Sequence, residues 1–331
     1  QRMSLHHSTR GRIGLAVGAL GAASLLLAGC GSDDGGPGGG GGDDGLTVVA
    51  GFYPLEWAAA RIGGDRIEVS SLTAPGAEPH DLELTPRDVA GVSDADLLVY
   101  LGGFQAAVDE AAEEQAGDSA WDAAEAADLS LTSEGHDHEH ADGEEHADEE
   151  HAEEEHEESE ESADPHFWLD PTRLADVGDA LAEQLTELDP DGAETYEQNA
   201  AALREDLEAL DAEMSAGLGS CAVDTLVTSH DAFGYLADRY GLRQIGVAGV
   251  DPHVEVSPAR LRRVADEVRD TGARTVFFEA AAGPGVAGTL AAELGLATGV
   301  LHPVERVVEG ETYPELMASN LDALRRGLVC S

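Results

Sequence analysis

The sequence predicts an α/β protein of two Rossmann-like lobes, each a parallel sheet flanked by helices, joined by one long rigid helix. Three observations predict it. Short apolar runs alternate with helical patterns from Leu46 to Leu101, and the same alternation resumes at Thr225. Between them lies an amphipathic, richly charged pattern of about 26 residues, long enough at 1.5 Å per residue to span roughly 39 Å as a stiff strut.

The elements follow in order. Residues 46–50 (Leu-Thr-Val-Val-Ala) read as a buried parallel strand, followed by a helix that includes Trp57 and residues 58–62. Residues 67–72 form a second strand. Thr85 is placed as an N-cap with Pro86 at the first helical position, and residues 97–101 form a third strand. Residues 171–188 and 192–218 carry apolar side chains at helical spacing: Leu174, Val177 and Leu181 in the first, Leu203, Leu207 and Leu210 in the second. The second lobe is expected as strand 225–228, helix 232–240, strand 243–247, helix 258–271, strand 275–279, helix 286–294, strand 298–301 and a closing helix 313–328. This organisation assigns residues 46–190 to an N-terminal lobe, 191–219 to the linking helix and 220–331 to a C-terminal lobe.

The first residues carry Arg2, Arg10 and Arg12, then an uncharged apolar run from Ile13 to Ala28, then Gly29 and Cys30. That order of features predicts an export signal over residues 1–29 and lipidation of Cys30. The run is too short to make a comfortable membrane span. Residues 31–45, almost all Gly, Asp and Ser, read as a flexible tether that would hold a folded body off a membrane surface. The expected location is the outer face of the cell membrane, held by lipid alone. His6 and His7 leave with the signal.

A formal net charge of -49 argues against a nucleic-acid partner and against charge-driven binding to anionic lipid. Much of that charge sits in residues 134–161, where Glu, Asp, His and Ala leave nothing to build a core. His136, His138, His140, His146, His151 and His156 alternate there with carboxylates, a composition suited to weak collection of several metal ions. Outside the lipidation box two cysteines remain. In an exported protein Cys221 and Cys330 are expected to pair, the alternative being two buried free thiols.

Three histidines lie where an expected strand or loop gives way to a helix: His80 in Pro-His-Asp, His166 in Asp-Pro-His-Phe-Trp-Leu-Asp-Pro, and His230 in Ser-His-Asp-Ala-Phe-Gly-Tyr. In open α/β sheets ligands bind beyond the carboxyl ends of the strands. Neutral imidazole is the commonest transition-metal ligand. Neither a His-Glu-x-x-His helix nor a Ser or Cys nucleophile with partners accompanies these histidines, so the sequence is read as that of a binding protein and not an enzyme.

These motifs together resemble those of the metal-binding substrate-binding proteins of ABC transporters, in their ZnuA/AdcA-like, zinc-type branch. The resemblance runs from about Leu46 to Leu328. It implies a metal cleft between the two lobes, with His80 and His166 from the N-terminal lobe and His230 from the C-terminal one. It also implies a fourth ligand on the loop after the last strand, where Glu305 fits the carboxylate of zinc-type relatives. His302, Glu279 or a water are the alternatives, with Glu279 otherwise bracing that loop. Three imidazoles and a carboxylate suit tetrahedral Zn²⁺. Mn²⁺ is the alternative within the family, whose manganese-type members replace one imidazole by carboxylate. The implied function is capture of Zn²⁺ and its delivery to a membrane permease, by a monomer, with the histidine-rich loop near the cleft. Rival readings are a surface adhesin, a passive metal buffer, or a zinc hydrolase. His253, between Pro252 and Val254, is read as a surface residue.

Overall fold

A computed structural model of the chain describes residues 45–132 and 163–331. The expected export signal and the lipidated Cys30 lie outside the described residues. So does the histidine-rich stretch expected to collect metal: His136, His138, His140, His146, His151 and His156 all fall outside them. Among the described residues no helix is long and apolar enough to cross a membrane.

The N-terminal half runs β1 (Leu46–Ala50), α1 (Tyr53–Gly63), β2 (Ile67–Ser71), α2 (Pro86–Asp94), β3 (Leu97–Tyr100), α3 (Ala106–Ala111), β4 (Ala120–Asp122) and α4 (Ala124–Ala127). Two longer helices follow, α5 (Pro171–Leu188) and α6 (Ala193–Leu218). The C-terminal half runs β5 (Thr225–Thr228), α7 (Gly234–Arg239), β6 (Arg243–Gly246), α8 (Pro258–Thr271), β7 (Thr275–Phe278), α9 (Gly285–Leu294), β8 (Ala297–Val300) and α10 (Tyr313–Gly327). Each half holds a four-stranded sheet, ordered β2-β1-β3-β4 and β6-β5-β7-β8. Every pairing is parallel. Both sheets therefore reverse strand order beside their first strand, and crevices open there at the carboxyl ends.

Strand alternation explains how two sheets share one interior. Val48 and Ala50 of β1, Leu97 and Val99 of β3, Leu226 of β5 and Phe277 of β7 all join one continuous core that crosses both halves. Their neighbours turn the other way, as a period of two requires: Val49 and Leu98 pack under α2 and α3, and Val227 and Val276 pack against residues of α8 and α9. Sheets covered on both faces are what near-continuous apolar strands dictate.

Helix α6 binds the halves together. Its buried residues Leu203, Leu207, Leu210 and Met214 form one stripe, each such side chain contributing about 1.5–3 kcal/mol on burial. Beside α1, Asn199 Nδ2 donates to the Ile62 carbonyl at 2.9 Å. Against α5 the approach is close enough that a Cβ at Gly178 would sit 3.0 Å from Leu203 Cδ2. At its other end α6 meets Leu321 of α10, where a Cβ at Gly217 would fall 2.7 Å from Leu321 Cδ1. The Cys221–Cys330 disulfide closes the same end, joining the segment before β5 to the residues after α10.

Local chemistry sets the helix starts. Thr85 and Asp88 form a capping box at α2, and the Asp170 carboxylate accepts from the Thr172 backbone N–H at the start of α5. Helix α7 begins two residues later than its apolar pattern suggests. The residues just before it are held as loop, the Asp231 N–H donating to the Gly249 carbonyl and the His230 carbonyl accepting from Thr228 Oγ1 and Gln244 Nε2, and the first helical bond runs from the Ala237 N–H to the Phe233 carbonyl.

Candidate metal centre

The carboxyl ends of the two sheets face each other, and the loops leaving them carry the polar side chains. His80 lies in the long loop after β2. Gln105 fixes that loop, donating from Nε2 to Thr73 Oγ1 at 3.0 Å and to the Pro79 carbonyl at 3.2 Å, while Thr73 Oγ1 donates to the Gly51 carbonyl. The His80 ring stands edge-on to Phe104, with ring centroids 4.8 Å apart.

His166 precedes the single helical turn Phe167–Leu169 that leads into α5. Asp164 holds it twice, accepting from the His166 backbone N–H at 3.0 Å and lying 2.8 Å from Nδ1. His230 follows β5, and its Nδ1 lies 2.8 Å from Glu279 Oε1 at the end of β7. In both cases a carboxylate stands against Nδ1, hydrogen-bonded to it at His166 and in ion-pair range at His230, and Nε2 is left for the interior, an arrangement that suits a metal-binding imidazole.

Glu305 sits in the loop after β8, and that loop is tightly held. Asn320, fully buried on α10, accepts from the His302 N–H and donates to the His302 carbonyl, both at 2.7 Å. The indole N–H of Trp168, two residues past His166, donates to the Pro303 carbonyl at 2.7 Å. Val304 has φ 58°, a left-handed conformation that is costly for a β-branched residue. The loop keeps that strain because both sides of it are anchored, and Glu305 is driven to complete burial.

One ligand atom from each of His80, His166, His230 and Glu305 lies within 4.8 Å of the others. The three imidazole centroids are 5.4, 6.2 and 5.6 Å apart. His80 Nε2, His166 Nε2, His230 Nε2 and both Glu305 oxygens are buried without a hydrogen-bond partner. Buried polar atoms are almost always paired, so five orphans around one point mark a place for a cation. Two of these four residues belong to each half of the chain. Ligand atoms gathered within 4.8 Å of one another could hold one metal ion, with some closing-in to reach zinc bonds of about 2 Å.

The electrostatics favour a neutral His166 and an ionised Glu305, while His230 is drawn toward its protonated form. Burial pulls His166 below its ordinary value, against the opposing pull of Asp164. Burial acts the same way on His230, but Glu279, with the fields of Glu305 and Glu78, leaves it raised. Burial pushes Glu305 up, yet its contact with His80 and the three imidazoles hold it below the usual carboxylate range.

The remaining sequence candidates lie elsewhere. His302 is half-buried beside a cavity of about 330 Å³ and is not in the four-residue group. Glu279 sits behind His230 and accepts from Arg306 Nη2 at 2.9 Å. His253 is exposed, with Nδ1 3.5 Å from Asp81 Oδ2. Asp164, Glu78, Arg306, Trp168 and Asn320 were not singled out from sequence. Of these only Asp164 left a local signal, a carboxylate two residues ahead of a motif histidine.

Comparison with known proteins agrees with this geometry. Residues 48–327 match the family model described as zinc-uptake complex component A, periplasmic. The high-affinity zinc uptake system protein ZnuA of Bacillus subtilis is 35% identical over 315 residues, covering 94% of this chain and 96% of its own. The zinc-binding lipoprotein AdcA of Streptococcus pneumoniae is 33% identical over 291 residues; that match covers 85% of this chain but 55% of AdcA, so the chain spans about half the length of that relative. Among solved structures, the Zn(II)-bound ZnuA-like domain of Streptococcus pneumoniae AdcA superposes with a TM-score of 0.67 at 30% identity, covering 86% of this chain and 99% of that one. The laminin-binding protein Lmb of Streptococcus agalactiae, described as bifunctional in adhesion and metal transport, gives 0.72 at 28% identity, with coverage of 86% and 99%. ZnuA and AdcA are named as zinc-uptake and zinc-binding proteins, and the family is one of binding proteins and not of enzymes. The chain belongs to the family of periplasmic A components of zinc-uptake complexes.

Proposed function

We propose that this chain captures Zn²⁺ outside the cytoplasm through His80, His166, His230 and Glu305 and delivers it to the permease of an ABC-type importer. The observation that carries the proposal is the buried meeting of four ligand atoms within 4.8 Å, two ligands from each half, with no hydrogen bonds to satisfy them. Three imidazoles favour zinc over manganese, which prefers more oxygen. A set of four protein ligands leaves no position for a reactive water, as suits capture and release. In this reading Cys30 carries the lipid that keeps the monomer at the membrane. His136, His138, His140, His146, His151 and His156 gather ions at low affinity. Tight capture at about nanomolar Kd corresponds to roughly 12 kcal/mol.

The test is titration of the demetallated full chain with Zn²⁺ and Mn²⁺ against a competing chelator. One tight zinc site is expected, lost in His80→Ala and His230→Ala and retained when residues 134–161 are deleted. Tight binding that vanishes with the deletion and survives both alanine variants contradicts the proposal. For delivery, zinc-limited growth of a strain carrying His230→Ala in place of the wild-type chain is expected to fail.

A further inference from the structure

Beside the four-residue centre lies a second group, Glu78, Glu279 and Glu305, whose carboxylate oxygens also come within 4.8 Å of one another. Glu305 belongs to both groups. Glu78 stands in the loop after β2, and Glu279 and Glu305 follow β7 and β8, so both halves of the chain build it. The Arg306 guanidinium lies among the three. Its Nη1 is 3.1 Å from Glu78 Oε2, and its Nη2 is 2.9 Å from Glu279 Oε2 and 3.8 Å from Glu305 Oε1.

Three clustered carboxylates with little solvent access make an oxygen-rich site that hard divalent cations favour. Glu305 is completely buried, and neither of its oxygens has a hydrogen bond; Glu78 Oε1 is likewise buried and unpartnered. Without a positive charge these groups would repel one another strongly in their low-dielectric surroundings. Arginine supplies a charge that cannot be deprotonated, with donors spread in a plane that can reach several carboxylates at once.

We propose that Arg306 keeps this centre to a single metal ion, its guanidinium standing where a second divalent cation would otherwise bridge Glu305 to Glu78 and Glu279. The same side chain links Glu78, from the His80 loop, to Glu279, which holds His230. Arg306 is thus a specificity and positioning residue. It removes an oxygen site whose occupant would compete with zinc for Glu305, and it does so while bracing the supports of ligands from both halves.

The inference rests on the zinc-centre reading, and one experiment separates the two. Full-length wild type, Arg306→Ala, Arg306→Gln and Arg306→Lys are loaded with Zn²⁺, crystallised in the presence of Mn²⁺, and measured by anomalous diffraction at both metal edges. A manganese peak among Glu78, Glu279 and Glu305 is expected in the alanine and glutamine variants and absent from wild type and Arg306→Lys. Equilibrium dialysis is expected to show about one additional Mn²⁺ per chain in the neutral variants. Glutamine, neutral but polar and bulkier than alanine, carries the test if the alanine variant does not fold. No manganese peak in a folded neutral variant, or a peak in wild type, overturns the role of Arg306. A missing zinc peak at the four-residue centre of wild type counts against the zinc-centre reading itself, whatever manganese does.

Discussion

Glu279 Oε1 lies 2.8 Å from Nδ1 of His230, and its other oxygen accepts from Arg306. A single carboxylate thus stands against the imidazole that follows β5 and is itself fixed from the loop after β8. Asp164 performs the same service for His166.

Replacing the orienting carboxylate should weaken metal binding without removing a ligand. Glu279→Gln and Asp164→Asn are each expected to lower zinc affinity by about 10–100-fold. Chelator competition checks this. Unchanged affinity in both variants would mean that the imidazoles are held by packing alone.

Proton competition should report His230. Zinc requires a free Nε2, and the raised affinity of His230 for protons means that zinc must displace one as pH falls through that raised value. Zinc affinity is therefore expected to decline on the acid side, beginning above the ordinary imidazole range. In Glu279→Gln, whose side chain no longer favours the imidazolium, the decline should begin at lower pH. His166, lowered by burial, is already neutral there. Affinity measured across roughly pH 5.5–8.5, a window that brackets the ordinary imidazole value, decides it. An identical onset in both proteins would contradict the assignment.

Much of the fold was legible because its elements are self-consistent. Helix α8 has a Ser257 cap, Pro258 at its start and Gly272 at its end, and the expected and observed spans coincide. Strand β4 left almost no trace: its three residues offer one large apolar side chain, Trp121, and it exists because β3 provides an edge to pair with. Helices α3 and α4 are similarly too short to show a period. At the centre, motif chemistry singles out three histidines, while the preference for Glu305 over His302 rests on the family resemblance and on nothing local to the loop. What separates them is three-dimensional. Asn320 pins the His302 backbone, and the left-handed turn at Val304 sends the next side chain inward. The approach of Glu279 to His230, and of Arg306 to Glu78, depends on strand order and has no counterpart in local sequence.

The Trp168 indole ties the His166 turn to the Glu305 loop. Trp168→Phe keeps most of the apolar contact but leaves the Pro303 carbonyl buried and unpaired, at a cost of about 1–3 kcal/mol. Urea unfolding of the demetallated protein is expected to show that loss, accompanied by weaker zinc binding. Full stability and full affinity would show that the loop is positioned by Asn320 alone.

The Cys221–Cys330 bond closes a loop with a sequence separation of 109. Cys221→Ser with Cys330→Ser is expected to lower unfolding free energy by about 2–5 kcal/mol through the freer unfolded chain. Thermal melts of the oxidised and double-serine proteins test it. Because Cys221 precedes β5 and His230 follows it, the bond lies at the opposite end of that strand from His230, and zinc affinity should hardly change.

The most direct test of the account is the position of zinc itself. A crystal structure of the zinc-loaded chain, phased at the zinc edge, is expected to show one fully occupied ion bonded to Nε2 of His80, His166 and His230 at about 2.0–2.1 Å and to a Glu305 oxygen at about 2.0–2.2 Å. A fully loaded protein in which that point is empty and zinc is bound by other residues would contradict it.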